Sequence, residues 1–254
     1  MEPTRNDAPP GLPELRISLW GASQVGKTTT LAAYFGLETP SWVEQQDAET
    51  RRALHSFQEV WDALRRNQLV AGTQGPKQFS LRHRAGLRLT FRDMRGGDVR
   101  AAGGSEEHEK LFRSDAALVF CEWPERRMAD NETALAKALI ELVPDHPTAV
   151  VITKCEAHLS EGELLQFVGM PLDFAARHPG LAPLRTLLQR YRAHFHQLQI
   201  APVTVYGWNG GRPAHSYDEF ARLIPSDIHP VAVERPFEFI LQALRSRVGA
   251  GRQP

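Results

Sequence analysis

The segment Gly21-Ala22-Ser23-Gln24-Val25-Gly26-Lys27-Thr28 constrains this chain more than any other. It fits the pattern G-x-x-x-x-G-K-[ST], with an apolar stretch, Leu15–Trp20, entering the first glycine. A helix-favouring stretch, predicted over Lys27–Phe35, leaves the last residues of the pattern. A loop between a strand and a helix N-terminus gathers backbone N–H groups into a nest for an anion. The glycines let the backbone close around a phosphate, a lysine at the helix start reaches the β and γ oxygens, and the hydroxyl after it ligates Mg²⁺. The spacing therefore predicts a cradle for a nucleoside triphosphate, with Lys27 as its charge and Thr28 on the metal.

The rest of the chain alternates helix and strand. A helix over about Thr50–Gln68 puts Leu54, Phe57, Trp61 and Leu64 on one face, which is core patterning. Runs over Gln78–Arg84 and Leu87–Arg92 alternate polar and apolar residues around Ala85-Gly86, predicting an antiparallel hairpin. An apolar strand follows at Ala116–Cys121, then a helix at Glu132–Leu142 and a strand at Thr148–Thr153. Residues 160–178 read as helical with a break at Pro171, followed by a helix at Leu184–Leu198, a strand at Ala201–Tyr206 and a closing helix at Pro236–Val248. Strands separated by helices predict a mostly parallel sheet covered on both faces. The division expected is a tail over 1–14, one α/β domain over 15–248 with a helical insert at about 42–70, and a tail over 249–254.

Thirty basic residues balance thirty acidic ones, so no charge footprint points to nucleic acid or a membrane surface. No apolar run approaches the ~18 residues of a spanning helix, and Met1–Pro13 lacks the apolar core of a signal peptide. Cys121 and Cys155 make no disulfide framework. The reading is a cytoplasmic protein with no integral membrane segment.

Two further groups carry chemistry. Asp93 ends an apolar strand and Gly96 follows in the spacing D-x-x-G. A carboxylate there can hold Mg²⁺ opposite Thr28, and the glycine lets a backbone N–H approach the γ-phosphate. Thr153-Lys154-Cys155-Glu156 follows another apolar strand. A lysine stem can cover a purine while a carboxylate two residues on accepts the N1–H and 2-amino donors of guanine. His194 and His196 are two apart, so on a helix they point away from each other and make a poor metal pair. His146, His178 and His229 each precede proline, which is turn chemistry.

Taken in order, Gly21–Thr28, Asp93–Gly96 and Thr153–Glu156 resemble the motifs of Ras-like GTPases of the translation-factor-related class, which also carry a hairpin feeding the D-x-x-G strand. More narrowly, Gly26-Lys27-Thr28-Thr29-Thr30-Leu31-Ala32-Ala33, the helical insert and Arg235-Pro236-Phe237-Glu238-Phe239 resemble the bacterial double-GTPase proteins. The resemblance implies a P-loop NTPase three-layer α/β sandwich whose mostly parallel six-stranded sheet has the order 2-3-1-4-5-6, strand 2 antiparallel. It implies GTP or GDP with Mg²⁺ as ligands, Thr29 beside Thr28 at the phosphates, and Thr73 as a switch residue on the metal. It places Tyr206 and Gly207 in a backbone-contacting loop near the base. The implied partner is a protein effector or a second GTPase.

The chain departs from that pattern in three places. Glu156 stands where aspartate is usual and Thr153 where asparagine is usual. Gly97 stands where a glutamine orients attacking water, which predicts slow hydrolysis unless Gln74, Arg95, His108 or a partner substitutes. Ser23 occupies a position that is usually glycine, where a side chain obstructs an arginine finger. The alternatives are a P-loop ATPase or small-molecule kinase, and a non-hydrolysing interaction module on the same fold.

Overall fold

A computed structural model describes residues 14–22, 24–37, 48–68, 78–83, 87–93, 114–124, 128–217 and 223–250. The candidate residues Ser23, Thr73, Gln74, Arg95, Gly96 and Gly97, with His108, lie outside these, as do the first thirteen residues and the last four. Among the described residues no helix is long and apolar enough to cross a membrane.

Strand β1 (Glu14–Trp20) leads to helix α1 (Lys27–Leu37) and α2 (Ala48–Arg65). The hairpin β2 (Gln78–His83) and β3 (Leu87–Asp93) follows, then β4 (Ala116–Glu122), α3 (Met128–Glu141) and β5 (Thr148–Thr153). A 3₁₀ turn (Cys155–Ala157) opens onto α4 (Glu161–Gly169), α5 (Pro171–Arg177) and α6 (Ala182–His194), and β6 (Leu198–Pro202) completes the main sheet. Two small antiparallel pairs follow, β7 (Trp208–Asn209) with β8 (Arg212–Pro213) and β9 (His215–Tyr217) with β10 (Leu223–Pro225), before α7 (Arg235–Ala250).

The six main strands stand in the order β2-β3-β1-β4-β5-β6, parallel throughout except for β2 against β3. Alternation explains the layers. In β4, Leu118 and Phe120 join Ile17, Leu19 and Val151 in a core under α1, α2 and α7. Val119 and Cys121, one residue out of phase, join Trp20, Val150 and Ile152 in a second core under α3 to α6. Every residue of β4 and β5 is buried because both faces are covered, which is why these strands read as continuous apolar runs.

The insert helix α2 packs as its spacing predicts, with Phe57, Trp61 and Leu64 buried and Leu54 partly so. Phe35 on α1 meets Phe57, Phe79 and Phe91 at 5.3–6.0 Å between ring centroids, tying α1 to α2, β2 and β3.

The C-terminal part corrects the sequence reading. The expected helix to Leu198 ends at His194, where Phe195 turns extended, and Leu198 is the first residue of β6. The expected strand Ala201–Tyr206 instead runs over Leu198–Pro202. Val203 still donates its N–H to Ile152 O, but Thr204 then exchanges backbone hydrogen bonds with Val231, which pulls the chain off the ladder. The helical stretch 160–178 is two helices, the second starting at Pro171, where a missing N–H costs nothing.

Candidate functional site

Strand β1 lies between β3 and β4, which leave it in opposite directions, so the loop after Trp20 opens at the point where the strand order reverses. In open α/β sheets this crevice is where ligands bind. The loop needs its glycines. Gly21 has φ 138°, and a Cβ there would stand 2.6 Å from the backbone oxygen of Phe120 on the neighbouring strand. Gly26 has φ 86°, turning the chain into α1, whose first turn carries no acidic residue to oppose an anion.

Lys27, the first residue of α1, bends back over this loop. Its Nζ donates to Gly21 O at 2.6 Å and to Ala22 O at 3.1 Å, and lies 3.5 Å from Asp93 Oδ1. Asp93 reaches it because β3 runs parallel to β1, with Leu19 opposite Asp93. The two side chains are 13% and 17% exposed, so they remain open to a ligand. Thr28 and Thr29 follow on the same turn, both half-buried. Gln24, in the left-handed region at φ 64°, is exposed at the loop's tip, and Val25 is buried beneath it.

The loop after β5 is joined to this one. Thr153 Oγ1 donates to Val25 O at 2.6 Å and also lies 3.3 Å from Cys121 O. Lys154 takes the left-handed conformation, φ 60° and ψ 31°, and caps the 3₁₀ turn that carries Glu156. Its ammonium pairs with Glu122 Oε1 at 3.0 Å. Glu122 ends β4 and stands opposite Thr153 in the ladder.

Glu156 is 2% exposed. Burial pushes its carboxyl up to about 7, against the Thr204 hydroxyl bond, its own backbone amide and the Lys154 charge, which each hold it down. Oε2 has no hydrogen-bond partner among the described residues. Thr204 Oγ1 in turn accepts from Gly207 N at 2.9 Å, so a short chain of bonds runs from Gly207 through Thr204 to Glu156. Gly207 O accepts from Ala214 N, and Tyr206 O from His229 N, which fixes the loop expected near the base.

Lys27, Asp93, Thr153, Lys154, Glu156 and Gly207 thus gather at the C-terminal ends of β1, β3, β5 and the segment past β6. The sequence reading missed Glu122 and Thr204. A buried acid closing the apolar run of β4 was the available sign of the first; Thr204 was hidden within an expected strand. The histidines fall elsewhere. His194 sits 3.0 Å from Leu142 O, His196, already past the helix, pairs with Asp145 at 2.7 Å, and His178 Nδ1 accepts from Gly180 N as a turn residue does. Cys155 is buried, its Sγ 3.2 Å from Ile152 O.

No protein-family model and no curated protein matches the chain. Among solved structures it is similar to sup35 complexed with GDP, at 14% identity and TM-score 0.40 over 76% of this chain and 38% of that one. It is similar to sup35 complexed with GMPPNP, at 13% identity and TM-score 0.39 over 76% and 38%. A variant of SsGBP matches at 10% identity and TM-score 0.38 over 76% and 49%. The chain therefore spans less than half the length of the sup35 chains it matches. The architecture described above rests on the sheet order itself, and the site on its side-chain geometry.

Proposed function

We propose that this chain is a Mg²⁺-dependent guanine nucleotide-binding switch that hydrolyses GTP slowly and controls partner binding through its nucleotide state. The observation that carries the reading is the ammonium of Lys27, anchored by Gly21 O and Ala22 O and facing Asp93 at 3.5 Å. A cation held by its own loop is already in position for the β and γ oxygens of a triphosphate and need not be reorganised on binding.

The donor set fits Mg²⁺. The Thr28 hydroxyl and the Asp93 carboxylate are hard oxygen ligands, and Asp93 already stands beside Lys27, the neighbour of Thr28. With Thr73 they are the proposed ligands; the ion, when bound, neutralises phosphate charge. Gly96 is the proposed backbone contact of the γ-phosphate. On the base side, the unpartnered Glu156 Oε2 is an acceptor suited to the N1–H and 2-amino donors of guanine, with the Lys154 stem over the ring.

In hydrolysis a water oxygen bonds the γ-phosphorus, and the bond from that phosphorus to the β-bridging oxygen breaks, releasing GDP and phosphate. Gln74 and Arg95 are the proposed residues at the attacking water and the developing charge. Gly97, with no side chain to orient water, makes the intrinsic rate slow. The proposed partner is a protein effector or a second GTPase and not a nucleic acid, since thirty basic residues are balanced by thirty acidic ones.

One observation favours a second reading. A carboxyl with its midpoint near 7 is partly protonated at neutral pH, and a neutral carboxyl donates to N1 and accepts from the 6-amino group of adenine. Titration with GTP, GDP and ATP, with and without Mg²⁺, decides. Guanine-selective binding strengthened by Mg²⁺, and insensitive to Mg²⁺ in Thr28→Ala, is the expected result. Equal or tighter ATP binding replaces the switch with an ATPase or kinase.

A further inference from the structure

We propose that Glu122 is a positioning residue for base recognition. By holding the Lys154 ammonium at the end of β4, it keeps that cation off Glu156 and leaves Glu156 Oε2 open to a purine. The inference rests on the proposed nucleotide site and names a residue that the motif pattern does not contain.

Three geometric facts converge. The β4–β5 ladder sets Glu122 opposite Thr153, the residue before Lys154, so the carboxylate is delivered by strand register and not by a flexible loop. Trp123 N, immediately after it, donates to Thr153 O and extends that registry past the strand end. Lys154 itself is left-handed, which a non-glycine residue adopts only when its surroundings hold it there. The resulting pair spans 3.0 Å, with Glu122 10% exposed and Lys154 35% exposed.

Lys154 is flanked by two acids, Glu122 and, two residues on, Glu156, and one ammonium cannot serve both equally. The charge influences divide accordingly: among the effects on Glu156, that of Lys154 is the smallest, behind burial, the Thr204 bond and its own amide. Among the described residues, the ionisable groups beside Glu156 include Cys155 on its own turn, His158 at the end of that turn, Glu161 and Glu163 on α4, and Cys121, which acts on Cys155. Burial pushes Cys121 up to about 12 and Cys155 well above its usual range, so both stay neutral thiols. Glu163 is spent on Ser160 in a capping box. Lys154 is therefore the one charge among the effects on Glu156, and its 3.0 Å pairing with Glu122 fixes where that charge stands.

The test uses Glu122→Gln and Glu122→Asp in the full chain. Lys154 is a third exposed, so loss of its partner strands no buried charge and the glutamine variant is expected to fold. The first readout, ¹³C-carboxyl NMR titration of Glu156, is taken without nucleotide. Glu122→Gln is expected to lower its midpoint, because the Lys154 cation is released from Glu122 and is free to approach Glu156, while Glu122→Asp restores it. The second readout is GDP affinity, expected to weaken about 3–10-fold in Glu122→Gln through a less ordered Lys154, and to recover in Glu122→Asp. An unchanged midpoint with unchanged affinity overturns the proposal. A wild type with no guanine preference overturns the nucleotide reading instead, while the nucleotide-free titration still decides whether Glu122 governs Glu156.

Discussion

Thr153 Oγ1 donates a 2.6 Å hydrogen bond to the carbonyl of Val25, fastening the loop after β5 to the loop after β1. The bond is buried, and Thr153 is the residue that stands where the resembled family carries asparagine. A hydroxyl makes the link with one donor, which suits a site where Gly26 lies directly alongside, with room for a Cβ only at 3.5 Å from Thr153. Thr153→Val keeps the volume and removes the donor. Leaving Val25 O buried without it is expected to cost about 1–3 kcal/mol of stability, read as a lower urea midpoint. GTP affinity is expected to fall with it, and Thr153→Ser to recover both. A valine variant with wild-type midpoint and affinity would show the two loops to be independent.

Lys27 is the residue whose loss matters most. Its Nζ bridges two loop carbonyls and Asp93, so on the proposed reading Lys27→Ala removes the cation for the phosphates and leaves Asp93 to repel them. The variant is expected to keep its fold by circular dichroism and lose triphosphate binding by calorimetry. Micromolar affinity, about −8 kcal/mol of binding free energy, surviving in Lys27→Ala would remove the phosphate role of this loop.

Gly21→Ala separates backbone from charge. No donor or acceptor is lost, but the new Cβ meets Phe120 O at 2.6 Å and φ is 138°. The strain is expected to cost about 1–3 kcal/mol in unfolding and to displace the carbonyl that orients Lys27, weakening GTP binding as well. Thermal unfolding and GTP titration read the two effects, and a variant as stable as wild type would show that the loop can move away from β4.

The parts of this molecule that were legible from sequence are those whose signal is local. Spacing alone put Lys27 and Thr28 at the start of a helix after a glycine loop, where α1 begins. The alternation of Gln78–Arg84 and Leu87–Arg92 predicted the antiparallel pair that the ladder shows over Gln78–His83 and Leu87–Asp93. The end of α6 was not legible, because Tyr191, Phe195 and Leu198 continue the helical spacing numerically after the backbone has left the helix. Phe195 still buries itself in the same core, so the pattern of burial persists while the conformation changes. The small pairs β7–β8 and β9–β10 are too short for periodicity to register. Glu122 was not legible for a different reason. An acid closing an apolar run was its one sign, but its proposed role is a cross-strand relationship to Thr153 and Lys154 that the register of β4 against β5 supplies.

On the proposed reading, Glu156 is expected to make stability and binding respond to pH in opposite directions. Its folded midpoint of about 7 lies above the ordinary 4.5, with burial as the main cause. The folded state therefore holds this proton more tightly than the unfolded chain does. Its contribution to stability is greatest below 4.5, declines as pH rises toward about 7, and is constant beyond. The difference between the two ends is about 3 kcal/mol. Glu156→Gln cannot ionise, so its melting temperature relative to wild type should climb between those limits and then level off. Guanine demands the reverse, since its N1–H and 2-amino groups need an ionised acceptor. GTP binding is expected to strengthen as pH rises through about 7, and below that value to release a proton, measurable by calorimetry in two buffers of different ionisation heat. A stability slope without proton release on GTP binding would leave Glu156 as a buried support of Thr204 and take it out of contact with the base.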